Sequence, residues 1–385
     1  MPPASQKPYC VGSAGFEPSA VAADGALQHR IDDFLKRDDL LGASRALLKL
    51  PSNDTYVYHA TASVTLAEVQ HIVQLGGANG LHNWYKTADG AARNPPPKPD
   101  IDAYISIFSP KTATASALKN FKTNAKKDSI RSECATCLSD RRYIHPELES
   151  TLTIPKVKSS AIYNPYYQFW EWSCRSLEWC GPCASSERLA TSHHVLPIFM
   201  HHFGCATPSH ESLEMLKILA DGRDIADMGS GNGYWSYMLR AYGISSHPVD
   251  NMQSVWRVSW VDNTVISDGV KWLKRYDNGK QMVLLLVYPV VGGGLGGGKE
   301  GAFTRDLVNA YAGDTIAVVG TQNRNGYTGF KNMTMAEYME REQPKWTKVV
   351  QISLPSFGGK DEALFVFQRG DRAAKLEKKQ QPVTS

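Results

Sequence analysis

Two kinds of apolar spacing organise this chain. From about residue 224 to residue 370, short runs rich in Val, Ile and Leu alternate with stretches whose apolar positions recur at helical spacing. The expected strands are 224–227, 246–250, 261–268, 282–288, 315–320, 348–354 and 363–369, with helices at 234–242, 270–276 and 337–342. The run from Met282 to Val287 has no polar residue, the pattern of a central strand buried on both faces. Strand and helix in alternation predict a parallel sheet. The last two strands are separated only by residues 355–361, short enough for a reversal, so the sheet should be closed at its edge by an antiparallel hairpin.

The pattern before residue 186 is different. Leu27, Ile31, Phe34 and Leu35 mark one face of an amphipathic helix, and Thr65-Leu-Ala-Glu68 is a capping box opening another that ends near Gly76. Asn94-Pro-Pro-Pro-Lys-Pro99 breaks the chain, either as a linker or as a stiff surface loop. The expected organisation is a flexible tail over 1–24, a mainly helical accessory region over 25–185, an α/β domain over 186–370 and a second tail over 371–385. There is no internal repeat.

The chemistry is concentrated where the first α/β strand ends. Asp227-Met-Gly229-Ser230-Gly231-Asn-Gly233 places three alternating glycines between a strand and a helix, allowing positive φ and close approach of backbone to a ligand. The next strand ends on Asp250, seventeen residues past Gly233, where a carboxylate can accept both hydroxyls of a ribose. A dinucleotide turn of the form G-x-G-x-x-G starting at Gly229 would need its third glycine at position 234, which is Tyr234. Acid followed by G-x-G-x-G instead resembles the first motif of Rossmann-like, class I S-adenosylmethionine-dependent methyltransferases. The wording of Gly233-Tyr-Trp235, Val287-Tyr-Pro289, Thr321-Gln-Asn-Arg324 and Lys360-Asp-Glu-Ala-Leu364 is similar to uncharacterised fungal methyltransferase-like proteins. The resemblance covers about residues 205–370. It implies a Rossmann-like methyltransferase sheet and S-adenosylmethionine as cofactor, held by Asp227, Gly229, Ser230, Gly231, Gly233, Asp250, Asp268 and Gly269. Asp268 would hydrogen-bond the adenine amino group; its alternative role is to cap the helix that follows.

The loop after the fourth strand departs from the amine-directed pattern of Asp or Asn, then Pro-Pro, then an aromatic. Tyr288 replaces the acid or amide, Val290 the second proline and Val291 the aromatic, so the acceptor is left open. Tyr288 is the catalytic candidate, orienting a nucleophile through its phenol, against a structural role as a buried strand-end tyrosine. The run Gly292–Gly298 is a lid or a plain spacer, and Pro289, Asn323, Arg324 and Tyr327 are the expected substrate rim. Tyr234 or Trp235 would either face the sulfonium or pack the helix onto its surroundings.

Composition narrows the classes. A 42% hydrophobic content suits a packed core, and a net charge of +4 does not by itself imply nucleic acid. The longest apolar run, 282–291, is too short to span a bilayer, so no membrane insertion is expected. The N-terminus lacks a secretory apolar core, which predicts reduced cysteines in cytosol or nucleus. Cys134-Ala-Thr-Cys137 and Cys180-Gly-Pro-Cys183 have zinc-ligand spacing, but the gap of 42 residues (138–179) exceeds a zinc ribbon, and no metal is expected. Lys111, Lys119, Lys122, Lys126 and Lys127 read as a solvated helix face, and Tyr163, Tyr166, Tyr167, Phe169, Trp170 and Trp172 as packing against the α/β domain. His193, His194, His201 and His202 lie along one helix, too spread for one metal, with one of them a candidate base. The alternatives are a binding protein that keeps the fold without catalysis and, from another class, a nicotinamide-dependent oxidoreductase.

Overall fold

The computed structural model describes residues 13, 15–60, 62–159, 161–189, 192–289, 300–323, 330 and 333–373. The N-terminal half contributes α1 (Pro18–Ala23), α2 (Gly25–Leu35), α3 (Leu40–Leu48), the hairpin β1 (Val57–His59) and β2 (Ser63–Thr65), then α4 (Leu66–Gln74), α5 (Lys98–Phe108), α6 (Thr114–Thr123), α7 (Ile130–Arg141), β3 (Tyr143–Ile144) and α8 (Pro165–Ser176). The rest comprises α9 (Val195–Phe203), α10 (His210–Ala220), β4 (Ile225–Met228), α11 (Tyr234–Ala241), β5 (Ser246–Asp250), β6 (Val265–Ile266), α12 (Gly269–Arg275), β7 (Val283–Val287), α13 (Ala302–Ala310), β8 (Thr315–Thr321), α14 (Met335–Glu342), β9 (Thr347–Ser353) and β10 (Glu362–Gln368).

Eight strands form the main sheet in the order β3-β9-β10-β8-β7-β4-β5-β6. The pairs from β8 through β7, β4 and β5 to β6 are parallel, and β10 is antiparallel to both β8 and β9. This is the Rossmann-like methyltransferase sheet that the sequence implied. The hairpin does more than close an edge, because its second strand inserts between β8 and β9, and β3 then pairs outside β9. Every residue of β8 and β10 is buried, including the polar ends Thr315, Thr321, Glu362 and Gln368 that flank their apolar centres.

The third strand is shorter than expected. Of 261–268 only Val265–Ile266 pairs, because Asp262 and Asn263 are exposed and Trp260 turns its backbone N–H to the Asn232 carbonyl instead of a neighbouring strand. The preceding loop is consequently long and carries Trp256 to the glycine turn, while Arg257 pairs with Asp54 of the N-terminal half.

One face of the sheet packs on α12, α13 and α14 through Leu284, Leu286, Leu307, Val318 and Tyr338. On the other face a single apolar cluster runs from Phe16 in the N-terminal half to Val366 in β10. The aromatic residues of α8 supply much of this contact: Tyr166 and Trp170 are fully buried, and the Trp170 indole donates to the Ser356 carbonyl at 2.8 Å. The proline stretch begins α5, with Pro97 at its cap and Pro99 in its first turn. The lysines do not share one helix: Lys119 and Lys122 lie on α6, while Lys111 precedes it and Lys126 and Lys127 follow it. The Thr65–Glu68 capping box forms as expected, with the Thr65 N–H donating to Glu68 at 2.7 Å. Among the described residues no helix is long and apolar enough to cross a membrane.

Candidate active site

The glycine turn closes over the end of β4 with φ of 74°, 58° and 77° at Gly229, Gly231 and Gly233, values that a side chain resists. Its amides are used internally. Gly229 and Ser230 both donate to the Val249 carbonyl, at 2.8 and 3.1 Å, and Gly233 donates to Ser230 at 2.9 Å. The Gly231 N–H donates to Asp250 Oδ2 at 2.9 Å, and the Met252 N–H donates to Asp250 Oδ1 at 2.7 Å. A turn meant for pyrophosphate must leave such donors free. Here they aim a carboxylate instead, and each Asp250 oxygen keeps a further lone pair for a hydroxyl donor. Burial raises the Asp250 pKa, and the two backbone donors oppose that rise.

Two aromatic rings flank the turn, and sequence reasoning missed both. A Cβ at Gly231 would lie 2.8 Å from the Trp256 ring, and one at Gly229 would lie 3.2 Å from Phe303 on α13. The Trp256 indole nitrogen is buried without a hydrogen-bond partner among the described residues. Neither residue belongs to a motif, so only the folded loop reveals them.

The other expected cofactor residues fall in two places. Asp227 is fully buried and accepts from Ser236 Oγ of α11 at 2.8 Å, bracing the strand against the helix. Burial, aided by the charge of Asp250, pushes its pKa up to about 7. Asp268 is exposed and accepts from the Lys271 N–H at 2.8 Å as the cap of α12, and Gly269 is tight against Leu307 and Met228. Tyr234 and Trp235 pack away from the turn, onto α8 and the segment after α9. The Tyr234 hydroxyl donates to Asn164 at 2.6 Å and accepts from the Tyr166 N–H, and the Trp235 indole donates to the Ala206 carbonyl.

The residues expected to face a substrate lie at the same edge, beyond β7, β8 and the start of β10. Tyr288 directly follows β7 with φ 51°, a strained backbone for a non-glycine residue, and its N–H donates to the Val319 carbonyl at 2.7 Å. The Lys360 ammonium sits over its ring, 4.6 Å from the centroid. Glu362, the first residue of β10, pairs with Thr321 of β8 and is wholly buried. Neither of its carboxylate oxygens has a hydrogen-bond partner among the described residues; the N–H groups of Phe357 and of Glu362 itself approach without proper geometry. Burial drives its pKa up to about 7 against the pull of Lys360, while burial lowers that of Lys360. Cys205 lies near both, its thiol pKa raised by burial. Lys360-Asp-Glu362 running straight into an apolar strand was the available signal for this cluster.

Pro289 follows Tyr288, and Asn323 donates to the Gly359 carbonyl at 3.2 Å. Arg324, Tyr327, Val290, Val291 and the glycine run 292–298 lie outside the described residues. The histidines are occupied elsewhere: His201 meets Tyr56 and the His59 carbonyl at 3.0 Å each, and His202 meets Tyr58 at 2.9 Å. α9 begins only after His194, and burial takes the His193 pKa down to about 3. The His202 carbonyl instead positions the turn, accepting from the Asn232 side chain at 3.0 Å and from the Trp260 indole at 2.7 Å.

No protein-family model matches the chain, and no curated protein matches it. Solved structures do. A Streptococcus mutans protein provisionally described as a SAM-dependent methyltransferase matches at 12% identity and TM-score 0.27, over 40% of this chain and 48% of its own. The chain thus spans about half the length of that relative. Magnesium protoporphyrin IX methyltransferase from Synechocystis PCC 6803, solved with bound SAM, matches at 10% identity and TM-score 0.28, over 41% and 79% of the two chains. The 16S rRNA methylase RmtB matches at 16% identity and TM-score 0.24, over 71% and 100%. At these scores the reading of the site rests on its own geometry.

Proposed function

We propose that this chain is an S-adenosylmethionine-dependent methyltransferase. The observation that carries the reading is Asp250, aimed by the Gly231 and Met252 amides at the end of β5, beside a turn whose Gly229, Ser230 and Gly233 amides are already satisfied. That arrangement suits the neutral ribose of a nucleoside and leaves no nest for a pyrophosphate, which disfavours a nicotinamide cofactor. When bound, the cofactor supplies an electrophilic methyl carbon on a sulfonium. The chain's own work is then to orient, to exclude water and to handle a proton. Asp250 holds the ribose hydroxyls, Trp256 and Phe303 cover the turn, and Glu362 receives the acceptor's proton while Lys360 and Tyr288 position the acceptor atom.

A non-catalytic binding protein is the second reading, favoured by Tyr288-Pro289 standing where an acid or amide begins the amine-directed motif. Calorimetric titration with S-adenosylmethionine and with S-adenosylhomocysteine, using NAD as the control, tests the first step. Micromolar binding of either sulfur nucleoside without NAD binding is expected. Preference for NAD would overturn the proposal, and cofactor binding with no methyl transfer across an acceptor screen would favour the second reading.

A further inference from the structure

The two C-x-x-C pairs, far apart in sequence, meet in the fold. Cys134 and Cys137 lie one turn apart on α7, and Cys180-Gly-Pro-Cys183 forms a loop facing them. Cys134, Cys180 and Cys183 are fully buried, Cys134 feels both Cys180 and Cys183 electrostatically, and Cys137 feels Cys183. Its sulfur sits 3.1 Å from the Gly181 carbonyl oxygen, in the mouth of the loop.

The loop is rigidly built. Gly181 has φ 110° and presses on Tyr104, where an added Cβ would come within 2.8 Å of the ring. The Tyr85 hydroxyl accepts from the Cys180 N–H at 2.8 Å and donates to the Gly181 carbonyl at 2.9 Å, while its ring stacks on Trp179. Beyond the loop, Ser185 Oγ lies 3.2 Å from the Cys183 sulfur, and the Ser186 N–H donates to the Cys183 carbonyl at 3.0 Å. A hydroxyl donor beside the sulfur suits a metal-bound thiolate. A thioredoxin-like role is not supported, since the loop follows the helix α8 and not a buried strand.

We propose that Cys134, Cys137, Cys180 and Cys183 form a structural zinc site. Four thiolates around Zn²⁺ carry a net charge of −2, and binding releases the thiol protons to solvent. Arg141, one turn beyond Cys137, supplies nearby positive charge. Its guanidinium pairs with Glu187 and Asp361, whose carboxylates lie within 4.8 Å of the Cys137 sulfur. Those two carboxylates with Cys137 do not make a second metal site, because the guanidinium already occupies the cation's place between them. Asp361 in turn accepts from the Gln322 side chain at 2.9 Å, so the metal would brace the helix that anchors the acceptor-side loop.

The test is metal content of the full chain, purified under reducing conditions without chelator, followed by exchange with Co²⁺. About one zinc per chain is expected, with the cobalt form showing the visible bands and thiolate charge-transfer absorption of a tetrahedral sulfur site. The double variant Cys180→Ser/Cys183→Ser should lose both. A wild-type protein that is metal-free and takes up no cobalt when reduced would overturn the proposal, whether or not the variant folds. So would cobalt bands unchanged in a folded double variant, or a Cys134–Cys183 disulfide in the freshly isolated protein. None of these readouts depends on methyl transfer.

Discussion

The two clusters at this sheet edge are built from different material. The cofactor side is backbone: glycines at positive φ, amides consumed by neighbouring carbonyls and one carboxylate held by two N–H groups. The acceptor side is side chains brought from distant segments, with Cys205, Tyr288, Lys360 and Glu362 meeting at the sheet edge. A backbone site is specified within one strand–turn–helix unit and resists change. A side-chain site depends on the whole sheet being assembled, and it can be altered one residue at a time.

Glu362→Gln separates the clusters most sharply. It should lower turnover by roughly 10²- to 10⁴-fold, the usual worth of a positioned acid or base, while leaving S-adenosylmethionine affinity intact. An unchanged rate would remove Glu362 from the mechanism. Each cluster also buries one acid whose pKa is raised to about 7, Asp227 and Glu362. The folded state therefore retains protons that the unfolded chain gives up. Their contribution to stability is complete below the unfolded carboxylate values and is lost as pH rises through about 7. Urea unfolding should show stability falling between about pH 4 and pH 7 and levelling off above that, by at most about 1.4 kcal/mol per pH unit for each group. Asp227→Asn and Glu362→Gln should each flatten that slope. A slope of opposite sign would contradict the burial of both acids.

Asp250→Ala attacks the other cluster and should weaken cofactor binding by about 1.5 to 3 kcal/mol, read by calorimetry in a folded protein. No change would sink the ribose assignment. Trp256→Ala is the mildest: a loss of about 0.5 to 1.5 kcal/mol in cofactor affinity is expected if its ring covers the bound nucleoside, and none if it only packs on Gly231.

The same contrast explains what was legible in the sequence. Alternating glycines and an acid at the next strand end are local signals, and they located the turn and the strand end at Asp250. The eight-stranded sheet was less legible, because β3 comes from the N-terminal half and β10 inserts where only register with β8 can place it. The strand expected over 261–268 shrank because Asp262 and Asn263 are polar and exposed and the residue before it, Trp260, is drawn to the glycine turn. Trp256 and Phe303 carried no pattern at all. Glu362 stood in plain view as a charge beside an apolar strand, but nothing local says that its partner strand buries it.

The place of β10 also bears on how the chain is made. The strand lying between β8 and β9 is the last of the sheet to leave the ribosome. Until residue 368 has been synthesised, β8 and β9 have unpaired edges facing one another across an empty slot, and a seven-residue strand with an apolar centre has yet to fill it. Completion of the sheet is therefore a late event after synthesis, and the nascent protein should depend on chaperones most heavily in its final moments.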